Sequence, residues 1–179
     1  MRPLYIVTER FDPGRGASWD RYVAWSGLTQ LSEVVTLDAS LCPPAVEEIL
    51  ADDWPHIVNE DFMLAFFVDL EFLLDQIAGI EERNLLCVYR NPPSGLALPA
   101  GAMNFEFMGY DLVDVQASAS ALTNCGGFRD VFDNGELSSK GLVASHARAF
   151  QVQSALRARH PEEHHANCHV WAIFRAAEP

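Results

Sequence analysis

The sequence predicts a single α+β domain over residues 1–179, with helices packed against a mixed or mostly antiparallel sheet. Three observations carry that class. Short apolar runs and helix-period segments follow one another without the regular alternation that builds a parallel sheet. Three of the runs, 85–90, 105–113 and 168–175, have the apolar, aromatic-rich character of sheet strands. A 179-residue chain that is 49% hydrophobic and 11% aromatic also has enough apolar surface to bury a core.

Taken in order, Leu4–Val7 is short, apolar and β-branched and reads as a strand. Arg10–Ala17 is a loop that turns at Asp12-Pro13-Gly14 and lacks the GK[ST] of a phosphate-binding loop. Ser18 caps a helix reaching Leu28, with Tyr22, Trp25 and Leu28 at helical spacing. Glu33–Leu37 is a second strand, and Pro43-Pro44 opens a helix through 45–53. Asn59-Glu60-Asp61 could cap one long helix over 60–78. The preferred reading breaks it at Asp69, because Phe66-Phe67-Val68 is poor helix material and Asp is a good cap. Leu70, Leu73, Leu74 and Ile77 then share a helix face ended by Gly79, and Glu71, Asp75, Glu81 and Glu82 form its solvated side.

Leu85–Arg90 is a strand, and the loop from Asn91 to Met103 returns it as an antiparallel partner of 105–113. Strand alternation places Phe105, Phe107 and Gly109 on one face and Met108, Tyr110 and Leu112 on the other. A helix over 141–159 follows, capped by Ser138 or Ser139 and ended before Pro161. Residues 160–167 form a polar turn, and 168–175 closes the sheet.

The formal net charge of -13, from 25 acidic and 12 basic residues, excludes nucleic acid as a direct partner and suits a basic protein. The N-terminus shows no secretory apolar region, and the most apolar segment, Phe62–Val68, falls far short of the roughly 20 residues a membrane span needs. Four cysteines stand singly, at 42, 87, 125 and 168, without a CxxC pair. They read as reduced thiols of a cytoplasmic protein, and no cofactor motif is present.

The densest polar constellation runs from Tyr110 to Gly127. It holds Asp111 and Asp114, then Asn124-Cys125-Gly126-Gly127 at the end of a small-residue segment. A glycine pair can turn successive backbone N–H groups inward, and a hydrogen-bonded turn uses the same residue types. His146 and Gln153 fall within the apolar arc of the 141–159 helix, where each needs a hydrogen-bond partner. Cys125 with His146 and Asp111 is therefore the candidate catalytic set, set against a core histidine bonded to a backbone carbonyl. Tyr110, Asn124, Gly126, Gly127 and Gln153 are the candidate ligand contacts. His164, His165, Cys168 and His169 crowd one turn, but they lack the paired spacing that fixes zinc geometry, so no metal is expected.

Two function classes follow. The first is a non-catalytic cytoplasmic protein that binds a basic protein partner through an acidic, aromatic-containing face, as inhibitors and immunity-type proteins do. The alternative is an enzyme or small-ligand binder whose pocket lies between the Asn124–Gly127 turn and the His146 helix face.

Overall fold

The structure is a computed structural model that describes residues 1–46, 57–58, 66–79, 83–96, 103–114, 118–124 and 128–177. Strands form where apolar and β-branched residues run together, and Ile57–Val58 adds one that the sequence did not suggest. They are β1 (Leu4–Glu9), β2 (Ile57–Val58), β3 (Phe66–Phe67), β4 (Arg83–Arg90), β5 (Phe105–Val113) and β6 (His169–Ala176). Every neighbouring pair is antiparallel, and the order across the sheet is β2-β3-β1-β4-β6-β5. With its helices, this makes the chain an α+β protein.

The pairing of β4 with β5 expected from their proximity in sequence is not made. β6 lies between them, matching Cys87 to Phe174 on one side and Tyr110 to Ala172 on the other. The reason is burial. Val170–Phe174 is apolar at every position and buried throughout, so it belongs where both faces and both edges are covered. β5 carries exposed Glu106 and Phe107 and tolerates the edge.

Two helices cover one face of the sheet. α2 (Leu70–Gln76) packs Leu73 against Tyr5, Val7 and Phe67. α3 (His146–Arg159) packs Ala149, Val152 and Leu156 against Leu112 and Val170. The other face is covered by residues 34–42, whose Val35 and Leu37 join Ile6, Leu86, Val113, Trp171 and Ile173. α1 (Ala17–Ser26) packs Trp19 and Tyr22 beside Val34.

Asp69 caps α2 as expected, its Oδ1 accepting from Phe72 N–H at 3.1 Å, and Phe66-Phe67 forms the strand before it. The helix ends at Gln76 with Ile77 as its C-cap, so Gly79 is not the cap.

Glu33–Leu37 is not a strand. Val34 makes one isolated bridge to Phe11, while the N–H groups of Ser32 and Val35 donate to the carbonyls of Ser139 and Lys140. These residues cover the sheet instead of extending it.

α3 starts at His146, five residues later than the apolar arc suggested, and Ser145 caps it by accepting from Arg148 N–H. Leu142 and Val143 mimic helical periodicity but lie in an extended stretch. There Val143 exchanges both backbone hydrogen bonds with Tyr110, at 2.8 and 3.0 Å. Ser138 closes the preceding turn, its Oγ accepting from Lys140 and Leu142.

The helix expected over 45–53 lies, beyond Val46, outside the described residues, as do Glu81, Glu82 and Cys125-Gly126-Gly127. Among the described residues no helix is long and apolar enough to cross a membrane.

Candidate functional site

Asp111 projects from β5 under the covering segment and is fully buried. Its Oδ2 accepts from the Thr36 hydroxyl at 2.5 Å and from Leu37 N–H at 3.3 Å. Its Oδ1 accepts from Leu112 N–H at 2.8 Å and from the Ser120 hydroxyl at 2.6 Å. Asp38, equally buried, accepts from Ser40 N–H and hydroxyl, Leu41 N–H, Ser120 N–H and the Asn124 amide. Ser120 therefore bonds both carboxyls, and Asn124 reaches Asp38 at 2.9 Å and Ser40 at 2.8 Å.

The donors that hold Asp111 are hydroxyls and backbone amides, with no cation among them. Burial consequently pushes its carboxyl above the ordinary range, and the hydrogen bonds from Ser120 and Thr36 only partly oppose it. A carboxyl enclosed by four donors is shaped to hold a strand, a covering segment and a loop together. It has no free face to present to a substrate.

His146 stands elsewhere. Its Nε2 lies 2.8 Å from Pro92 O, and its ring meets Tyr110 edge-on at 5.6 Å and Phe150 at 4.7 Å. Gln153 is buried and donates to Cys168 O at 2.7 Å. Both polar residues of the α3 arc thus bond backbone carbonyls. His146 shares no bonding partner with Asp111, and Asn124 belongs to the Asp38 cluster. His146 therefore stands apart from Asp111 and Asn124.

The histidine-rich turn divides as well. His164 Nδ1 lies 2.6 Å from Asp114 Oδ2, where it donates to a carboxylate that is nearly fully buried. His165 is buried beneath it, 3.8 Å ring to ring and edge-on to Phe128. Burial first, and then the neighbouring His164, lower its pKa. His169 pairs with Asn91 at 3.0 Å, and Cys168 enters the core against α3. Among the described residues no group of three or more histidines, cysteines or carboxylates is gathered as a metal site would be.

Cys42, Cys87 and Cys168 are all buried and unpaired in disulfides, and burial pushes each thiol up to about 12. At neutral pH these groups carry essentially no thiolate, the reactive form. Treating the native protein with iodoacetamide at pH 7.5 is expected to leave all three unmodified, and unfolding in guanidinium to expose them together. Peptide mapping that finds any of the three alkylated rapidly in the native state would contradict this.

An open concavity lies elsewhere, and strand alternation hides it in the sequence. A bulge between Phe107 and Gly109 inserts one residue into β5. It brings Phe107 and Tyr110, three apart, onto the same face, where simple alternation would separate them. Their rings pack at 5.1 Å, and Phe107 also meets Phe174 at 5.2 Å. With Leu96 they line a pocket of about 300 Å³. Phe107 keeps 42% of its surface exposed there, an unusual state for a phenylalanine. Of the described residues expected to touch a ligand, Tyr110 lines this pocket. Phe107, Phe174 and Leu96 were missed, and only the mid-strand glycine, a common mark of a bulge, signalled them. No protein-family model, curated protein or solved structure matches this chain.

Proposed function

We propose that the protein is a non-catalytic binder of a basic protein partner, acting in the cytoplasm in the manner of an inhibitor. The observation that carries this reading is the open pocket of Leu96, Phe107, Tyr110 and Phe174 on a chain of net charge -13. Exposed aromatic anchors in preformed pockets supply most of the affinity at protein interfaces, while complementary charge sets partner choice and association rate. Glu71, Asp75 and Glu106 are exposed and contribute to the attracting field. The unpaired, buried thiols suit a reducing compartment.

Selecting a random peptide library on the immobilised protein tests this. Enriched peptides are expected to combine lysine or arginine with a large apolar side chain, and to bind more weakly as salt rises. Phe107→Ser is expected to weaken them roughly tenfold or more. Enrichment of acidic or uncharged peptides, or unchanged binding to F107S, would overturn the proposal.

A small apolar ligand in the same pocket is the second reading, favoured by a volume at the low end of small-molecule sites. It predicts saturable binding of an apolar fluorescent probe that is indifferent to salt and lost in F107S.

A further inference from the structure

The pocket beside the β5 bulge is walled by three aromatic rings and a leucine, and the rings do not stack. Phe107 meets Tyr110 at 65° and Phe174 at 56°, with centroids 5.1 and 5.2 Å apart. Parallel rings would cover one another's faces, whereas rings tilted this steeply leave faces turned to the space between them. An aromatic face carries the negative lobe of the ring quadrupole. A box of such faces attracts a cation beyond what it offers a neutral group of the same shape. The surroundings agree in sign. α2 covers the same face of the sheet, has no basic residue and exposes Glu71 and Asp75. Arg175, next to Phe174 along β6, points to the opposite face, where Glu33 and Asn84 hold it. Among the described residues no lysine or arginine lines the pocket. With 42% of Phe107 exposed, the box is also open on one side, so a charged group can enter and keep part of its water.

Resting on the partner-binding reading, we propose that this box takes the ammonium head of a lysine of the basic partner. The rings of Phe107, Tyr110 and Phe174 hold the charge, and Leu96 packs against the methylene stem. A neutral apolar side chain would fill the same space but would gain nothing from the ring faces or from the net charge of -13. A guanidinium is planar and stacks on one face, while a compact ammonium is reached by several tilted rings at once. The bulge makes the box, because it alone brings Phe107 and Tyr110 onto one face of β5.

The probes are the peptide acetyl-Ala-Leu-Lys-Leu-Ala-amide and two twins. One twin carries Nε-trimethyllysine at the centre, and the other its uncharged isostere, with tert-butyl in place of trimethylammonium. Titrations at physiological salt follow the ring protons of Phe107 and Tyr110 by NMR. The lysine peptide is expected to shift them, and the trimethyllysine twin to bind about fivefold or more tightly than its isostere. Phe107→Leu keeps the apolar bulk without the ring and is expected to shrink that preference to about twofold or less. Phe107→Trp is expected to retain it. Equal binding of the two twins, or tighter binding of the isostere, would overturn the cation box while an apolar anchor and the partner reading stand. A preference that survives in F107L would overturn it too, assigning the selectivity to the acidic field and not to the rings. Tetramethylammonium binding as tightly as the peptides would replace the partner's lysine with a free cation. If no probe shifts the two rings, this inference and the partner reading both fall.

Discussion

Asp111→Ala is expected to lower stability by about 3–4 kcal/mol, a large share of the roughly 5–15 kcal/mol that keeps a domain folded. The substitution removes the common acceptor of the Thr36 and Ser120 hydroxyls and of the Leu37 and Leu112 amides, all buried. Each donor left without a partner costs about 1–3 kcal/mol. The sum is reduced because the carboxyl no longer has to be kept out of water and because neighbours relax. In a chain of this size the melting temperature should fall by roughly 6–16 °C. Thermal unfolding followed by circular dichroism measures it, and a drop of less than about 2 °C would mean that the buried acceptor is dispensable.

The same group gives a signature in pH. Its pKa is raised in the folded chain, so between the unfolded and folded values the native state holds more protons than the unfolded state. Its contribution is complete below the unfolded value of about 3.9 and is lost as pH rises through the folded one. This is opposite to the usual ion-paired carboxylate. Asp111→Asn should lack that falling limb, so the stability of the wild type minus that of the variant should fall as pH rises over the window. A difference curve that rises over the window would refute the assignment.

Much of the fold was legible because it rests on local chemistry. The apolar runs around Val7, Val88 and Ile173 had nowhere to go but a covered sheet, and Asp69 after Phe66-Phe67-Val68 announced a cap. What local chemistry cannot encode is strand order. Nothing in β4 or β5 says that a strand from the end of the chain will separate them, and only the unbroken apolar character of Val170–Phe174 hinted at it. Leu142 and Val143 misled for a related reason. Two apolar residues at helical spacing from Ala149 and Phe150 also serve an extended segment that pairs with Tyr110, and periodicity alone does not distinguish the two. The site was read least well. Asp111 was picked out for its company of Asn124 and Cys125, yet its bonding partners Thr36 and Ser120 lie 75 and 9 residues away along the chain. The pocket depends on a one-residue bulge that reverses which side chains share a face.

That bulge is the reason Gly109→Ala should be as damaging as the loss of Asp111, by about 3 kcal/mol or more. Gly109 has φ +143°, a conformation that side chains disfavour by about 1–3 kcal/mol. An added Cβ would also stand 2.7 Å from Leu142 Cβ and 3.1 Å from Val143 O. Leu142 is fully buried and Val143 O is bonded to Tyr110 N–H, so neither can retreat without breaking the contact that closes this edge. The control is Gly16→Ala, where φ is +55° but nothing lies within 4 Å of the new Cβ. That variant should lose only about 1 kcal/mol, from backbone strain alone. A folded fraction of G109A should also lose peptide binding, because straightening β5 turns Phe107 away from Tyr110. Denaturant unfolding of the two variants side by side separates these terms. Equal losses would mean that the close approach of Leu142 is relieved at little cost and that the bulge does not set the pocket.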